Sequence, residues 1–260
     1  VRYAGAALKH MAQETSLDKA LNVLETIAQA GDARLSTLAE ATGYPPATIH
    51  RILGALVRRR YVRQDSATRK YMLSLKCLEI SSRVKENLQI ITAARPVMQK
   101  LMEKAGETVN LVCFEDMEAV YIDQISNTKS LLRMFTRVGA RVPLHSSGVG
   151  KAFLARRPTA EALEYFRRAK KERYTKNSLV KEDEFLQDLE ETRRRGYAVD
   201  REEFEDGVGC IAVLITQKSE AAGAMSISGP SSRLFGANTA RLAADVVRGA
   251  AAISQCLSGR

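Results

Sequence analysis

The sequence predicts an α+β chain with an N-terminal winged helix-turn-helix, a linker helix and a larger C-terminal domain of mixed strands and helices. Three observations predict this. Residues 34 to 71, RLSTLAEATGYPPATIHRILGALVRRRYVRQDSATRKY, read as two short helices followed by a basic hairpin. Residues 75 to 105 carry helical apolar spacing, and beyond them strand-like runs come in two blocks around three helical patterns. At 260 residues the chain has room for two domains, which divide as 1–76, 77–89 for the linker helix, and 90–260.

The elements follow in order. Ser16 is read as the N-cap of a helix with Leu17, Leu21, Leu24 and Ile27 on one stripe, closed by Gly31. A second helix starts around Ser36, with Glu40 as a loosely spaced capping partner, and stops at Gly43. Pro45 and Pro46 set the start of a third, since proline at the first helical position loses no intrahelical bond. Its core face is Ile49, Ile52, Leu53, Leu56 and Val57, in the i, i+3, i+4, i+7, i+8 pattern.

At 100° per residue the opposite face holds Ala47, Arg51, Gly54, Ala55 and Arg58, flanked by Thr48 and His50. Small residues beside an arginine let a helix enter a groove closely, and an arginine fork bonds guanine at two acceptors. Arg51 is the first candidate for base readout. Ala47 suits a thymine methyl, and Thr48 a base or a phosphate. Tyr61 to Arg63 and Lys70 to Leu73 flank a polar loop suited to a hairpin. Between Arg51 and Lys76 stand eight basic residues and one acid, Asp65. A charge run alone is commonly a solvated face; with the helix spacing and the hairpin it points to phosphates. The expected DNA contacts are therefore Ser36, Thr37, Ala47, Thr48, His50, Arg51, Arg63, Arg69 and Lys70, on double-stranded operator DNA.

Charge is unevenly shared. Residues 1 to 87 hold 14 basic and 8 acidic groups, net +6, within a total of +10. A hydrophobic content of 45% supports a real core, and no apolar run approaches the roughly 18 residues of a membrane span. No secretory signal is visible, so a soluble cytoplasmic protein with no membrane contact is expected. Cys77, Cys113, Cys210 and Cys256 are scattered, as are His10, His50 and His145, so no metal site assembles from local spacing and no cofactor is expected.

From 75 to 105 the apolar positions include Leu78, Val84, Leu88, Ile91, Val97, Met98, Leu101 and Met102, with Pro96 expected to kink or break the region and Gly106 to end it. Strands are expected at Thr108 to Phe114, Ala119 to Ile125 and Ser130 to Phe135. Helices follow near Val149 to Ala155, Ala160 to Lys170 and Glu182 to Arg195. Strands return at Ala198 to Asp200, Cys210 to Thr216 and Ala222 to Ser228, before a helix from about Gly236 to Gln255.

The candidate site of this second domain begins with RVPLHSSGVGKAFLA, residues 141 to 155. Its serines and glycines precede a helix, whose free N–H groups favour a carboxylate or phosphate, and Gly148 permits close approach. GVGK is not a phosphate loop: the GxxxxGK[ST] template needs glycine where His145 stands and Ser or Thr where Ala152 stands. In VDREEFEDGVGCIAVLI, Asp200 and Cys210 flank a glycine-containing turn. In GAMSISGPSSRL, Ser226 and Ser228 share one face of a strand. Two hydroxyls, a thiol and a backbone anion site suit a small polar acid, although a buried structural cysteine and a solvated serine face are the ordinary outcomes.

Taken together, PPATIHRILGAL, LLRMFTRVGARVPLHSSGVGKAFLA, RRRGYAVDREEFEDGVGCIAV and MSISGPSSRL resemble the IclR family of bacterial transcriptional regulators over essentially the whole chain. GETVNL at 106 to 111 further resembles the glyoxylate-responsive allantoin-utilisation repressor branch. The resemblance implies a GAF-like α/β effector-binding domain and homodimers, often paired as tetramers, on palindromic or repeated operators. It also implies effector contacts at Met134, at the backbone of Gly148 and Val149, and at Asp200, Val208, Cys210, Ser226 and Ser228. Val208 stands where glyoxylate-sensing relatives have leucine, and Phe135 follows Arg133 and Met134. A pocket of altered volume would admit a larger acid, including an aromatic one.

The leading expectation is a ligand-responsive DNA-binding regulator, a repressor of a catabolic operon, answering to a glyoxylate-like, pyruvate-like or aromatic acid. An enzyme is the alternative, with Cys210, His145 and Asp200 as nucleophile, base and orienter. A non-specific architectural DNA protein would explain the charge but not the second domain.

Overall fold

The computed structural model describes residues 14–127 and 137–259. The chain forms two compact units, Val1–Asn87 and Leu88–Arg260. The strand expected at Ser130 to Phe135 lies outside the described residues.

In the first unit the order is α1 (Ser16–Ala30), β1 (Asp32–Ala33), α2 (Leu35–Thr42), α3 (Pro46–Arg58), β2 (Val62–Gln64), β3 (Tyr71–Leu73) and α4 (Leu75–Glu86). The strands form one antiparallel sheet in the order β1-β3-β2. Val23, Ile27, Leu38, Ile49, Ile52, Leu53 and Val62 make its core.

Several local readings change. The N-cap of α1 is Thr15, not Ser16: its Oγ1 accepts from Asp18 N at 3.2 Å, and Asp18 returns a bond to Thr15 N at 2.8 Å. The buried stripe of α1 is centred on Val23 and Ile27 with Ala20 and Leu24 beside them, whereas Leu17 and Leu21 remain 66% and 48% exposed. Leu17 and Leu21 are spaced correctly for a stripe, but they lie on the edge that turns away. α2 starts at Leu35 without a side-chain cap, so Ser36 and Glu40 form no capping pair. Val57, expected in the core face of α3, is exposed.

Residues 75 to 105 are two helices, and the break falls at Asn87 and Leu88 rather than at Pro96. Pro96 lies inside α5 (Gln89–Ala105). It removes the bond to the carbonyl of Thr92, four residues back, and both residues are exposed, so water can satisfy that oxygen. The helix expected at 77–89 runs instead from Leu75, where Ser74 caps it by accepting from Lys76 N at 3.1 Å.

The second unit continues with β4 (Thr108–Glu115), β5 (Glu118–Ile125), β6 (Arg141–Pro143), α6 (Gly148–Leu154), α7 (Thr159–Arg168), α8 (Glu182–Arg195), β7 (Ala198–Arg201), β8 (Val208–Gln217), β9 (Glu220–Pro230), α9 (Ser231–Leu234) and α10 (Thr239–Ser258). Its six strands form an antiparallel sheet in the order β6-β5-β4-β9-β8-β7. The edge strand β6 is not foreseen from the sequence, because three residues show no alternation to read.

Alternation divides each central strand between two cores. Leu111, Ile211, Met225 and Ile227 pack under α5 and α10, while Val112, Ala212 and Ala224 face α6, α7 and α8. The α6 side is lined by small residues because that helix sits close. A Cβ on Gly150 would lie 2.2 Å from Leu144 Cα, and one on Gly148 would lie 2.9 Å from Cys210 Sγ. Among the described residues no helix is long and apolar enough to cross a membrane.

Because backbone cannot yield as a side-chain tip can, Gly150→Ala is expected to push α6 away from the Leu144 backbone in the segment that follows β6, and to cost about 1–3 kcal/mol, as overpacked cores do. Urea denaturation of the variant checks this; an unchanged midpoint would show that the approach of α6 is not constrained.

Candidate functional site

On the first unit, α3 presents Ala47, His50, Arg51 and Arg58 to solvent, with Thr48 half-buried, while Ile49, Ile52 and Leu53 anchor it from behind. Ser36 and Thr37 are exposed on the first turn of α2. The hairpin loop is shaped by Asp65, whose carboxylate accepts from Thr68 N at 2.7 Å, Thr68 Oγ1 at 2.9 Å and Ala67 N at 3.1 Å. Those bonds, chiefly from Thr68, hold its pKa below the usual carboxylate range. Arg63 and Arg69 are exposed. Lys70 differs from them: its Nζ is 2.9 Å from Asp32 on β1, so part of its charge is spent on the sheet.

On the second unit, sheet register brings the predicted polar groups together. Asp200 on β7 pairs with Cys210 on β8, and Cys210 pairs with Ser228 on β9, a row of three neighbouring side chains on the α6 face. Above this row lies a cavity of about 250 Å³ lined by Gly148, Val149, Asp200, Val208, Cys210 and Ser228. The start of α6 leaves the N–H groups of Gly148 and Val149 without intrahelical acceptors. Ser226 is not in the cavity wall. It sits beneath, where Asn110 Nδ2 lies 3.2 Å from Ser228 Oγ and 3.5 Å from Ser226 Oγ, and Gln124 Nε2 donates to Asn110 Oδ1 at 3.1 Å. Met134 lies outside the described residues.

Sequence reasoning missed Asn110, although it lies within GETVNL, and missed Tyr121, Arg141 and Phe204 in the walls. The alternation of Thr108, Asn110 and Val112 was the available signal for Asn110: a polar residue on an otherwise buried face needs partners.

Behind Asp200 lies a buried charge cluster. Lys151, with no exposed surface, places Nζ 2.6 and 2.7 Å from the two oxygens of Glu203 and 3.1 Å from Asp188. Burial works against its charge, yet Glu203 and Asp188 outweigh that and raise its pKa above the ordinary lysine value. The lysine of GVGK is thus committed to carboxylates, in keeping with the rejection of a phosphate loop. Asp200 accepts from Glu203 N at 2.8 Å. Burial first, and then the Glu203 carboxylate, push the Asp200 pKa up to about 7. It can therefore hold a proton at neutral pH and donate a hydrogen bond into the cavity.

The nucleophile-base-orienter arrangement does not form. Burial pushes the Cys210 thiol up to about 12, and among the described residues both ring nitrogens of His145 lack a hydrogen-bond partner. The His145 ring lies instead 6.0 Å from that of Phe166 and 6.3 Å from that of Tyr165. Among the described residues the imidazole of His145 is therefore not bonded to Cys210 and does not activate it.

Residues 16–66 match the profile of the IclR helix-turn-helix domain, and residues 82–255 that of the bacterial transcriptional regulator IclR C-terminal domain. The chain belongs to the IclR family. It is 34% identical to the transcriptional repressor IclR of Escherichia coli K12 over 251 residues, 95% of this chain and 91% of that protein. To the HTH-type transcriptional repressor AllR of the same strain it is also 34% identical, over 84% of this chain and 81% of AllR. The crystal structure of the Thermotoga maritima IclR superposes with a TM-score of 0.78 at 30% identity, covering 93% of this chain and 98% of that one. This IclR-family chain is a DNA-binding transcriptional regulator and not an enzyme.

The raised pKa of Asp200 has a pH consequence. The folded protein keeps this proton up to about pH 7, while the unfolded chain releases it near the ordinary 3.8, so stability falls as pH rises between those values. Glu203, also raised by burial, adds the same sign; His145, lowered by burial, acts oppositely below its ordinary 6.5. Asp200→Asn is expected to flatten the pH dependence of urea midpoints between about 4 and 7. A slope as steep as in the unmodified protein would place the proton elsewhere.

Proposed function

We propose that this regulator is a ligand-responsive repressor of a catabolic operon whose hold on DNA is changed by a small carboxylate metabolite. The observation that carries the reading is the cavity at the start of α6, where the N–H groups of Gly148 and Val149, the Ser228 hydroxyl and Asp200 converge. A carboxylate there takes hydrogen bonds from the helix start, and protonated Asp200 donates rather than repels. A volume of about 250 Å³ suits acids from glyoxylate and pyruvate to a hydroxybenzoate.

In this reading α3 enters the major groove. Arg51 reads base edges, Ala47, Thr48 and His50 lie beside it, and Ser36, Thr37, Arg63, Arg69 and Lys70 meet phosphates. The ligand shifts DNA binding only to the extent that it binds the competent and incompetent arrangements unequally, typically by about 1–3 kcal/mol.

The protein acts as a homodimer, or a pair of dimers, on palindromic or repeated operators. Supporting this, Leu17 and Leu21 on α1 and Leu75, Leu78, Ile80 and Val84 on α4 are exposed, an unusual density of large apolar residues for one small unit.

A thermal-shift screen against glyoxylate, pyruvate, hydroxybenzoates and phthalates tests the pocket. A selective rise in Tm that disappears in Ser226→Ala with Ser228→Ala is expected, and no response to any acid would remove the carboxylate reading. For the assembly, Leu75→Glu with Leu78→Glu is expected to lower the mass measured by light scattering to that of a monomer; an unchanged mass would move the interface away from α4.

A further inference from the structure

The end of α3 differs from the ends of four other helices. α1, α2, α5 and α8 each close on a glycine with positive φ, at Gly31, Gly43, Gly106 and Gly196. After the C-cap Arg59, the residue in that position for α3 is Arg60, at φ +63°. Glycine takes this conformation without steric cost and arginine does not.

Arg60 is not alone. Arg58, Arg59, Arg60, Arg63 and Lys76 line one open groove formed by the end of α3, β2 and the start of α4. Glu79, the acid on that groove, is already taken by Lys76 at 2.9 Å. Among the described residues Arg58, Arg59, Arg60 and Arg63 make no ion pair, and all four are exposed. Unpaired cations packed this closely repel one another, and an anionic partner would remove the repulsion.

The groove is continuous with the recognition face. Arg58 follows Ala47 by eleven residues, which at 100° per residue returns it to the same side of α3. Its guanidinium lies over Gly54, where a Cβ would be 3.5 Å from Nη1, so it runs back along the helix toward Arg51. We infer that this groove is a second track for DNA phosphates, leading from the recognition face at Arg58 through Arg59 and Arg60 to Arg63. It extends the contact along the duplex backbone, independently of sequence. A rival use of these arginines is to offset the negative end of the α3 dipole, which would serve the fold and not DNA.

The test is binding of the full-length protein to a random-sequence DNA duplex by fluorescence anisotropy across a salt series, with Tm measured in parallel. The proteins are the unmodified chain, Arg60→Gly, and Arg58→Gln with Arg59→Gln. Each arginine that meets a phosphate contributes about 0.9 to the slope of log affinity against log salt, so each loss should lower the slope by about that much. The affinity deficit per arginine should then shrink about eightfold for every tenfold rise in salt. Arg60→Gly is expected to lose slope with Tm unchanged or higher, because glycine suits the backbone better. A slope retained in both variants, or lost only where Tm also collapses, would overturn the track. If the unmodified protein itself showed no salt-dependent binding, the DNA assignment would fall with it.

Discussion

The second unit depends on one buried ammonium. Lys151 lies on α6 with no exposed surface and is held by Glu203 and Asp188, which come from the segment after β7 and from α8. Removing either partner of such a pair typically costs about 3–5 kcal/mol, because the other charge is left buried and alone. The segment carrying Glu203 is fixed in turn: the Thr175 hydroxyl donates to the carbonyl of Glu202 at 2.6 Å, and that of Ser178 to the carbonyl of Glu203 at 2.7 Å. Three elements are thus pinned at one point beside the cavity. The same cluster, with more carboxylates than lysines, keeps Asp200 short of a compensating cation and so able to stay protonated.

Close approach is the second condition. Gly148 on α6, and Ala212 and Ala224 on the sheet, let a seven-residue helix lie near enough for its first N–H groups to share a cavity with Cys210 and Ser228. Larger residues on either surface would fill that space. The opposite face of the sheet carries Leu111, Ile211, Met225 and Ile227, and supports two long helices with an ordinary apolar core. One face therefore provides adhesion and the other a cavity.

Much of this was legible from spacing. The faces of α3, the glycine ends of α1 and α2, and the strands of the larger sheet follow from periods of 3.6 and 2 and from residues that tolerate positive φ. What escaped was set by contacts distant in sequence. Whether Leu17 or Val23 points inward depends on where α2 and α3 lie, and a three-residue edge strand such as β6 exists only because β5 pairs with it. In the site, Asp200, Cys210 and Ser228 were readable as types, but their shared row is a fact of register. Asn110 and Lys151 were harder, because a buried amide and a buried ammonium become legible only with their partners in view. Neither Asp200 nor His145 could be assigned a proton from sequence, since burial decides both.

The state of the Cys210 thiol bears on how a ligand in the proposed pocket would be held. A thiol that keeps its proton up to about pH 12, with no imidazole to take it, is a poor nucleophile toward a carbonyl carbon. An acid bearing an aldehyde or ketone would rest beside this sulfur without forming a thiohemiacetal. Under the proposed function, occupancy would then follow the free metabolite concentration down as readily as up, with no covalent adduct to revert before the regulator resets.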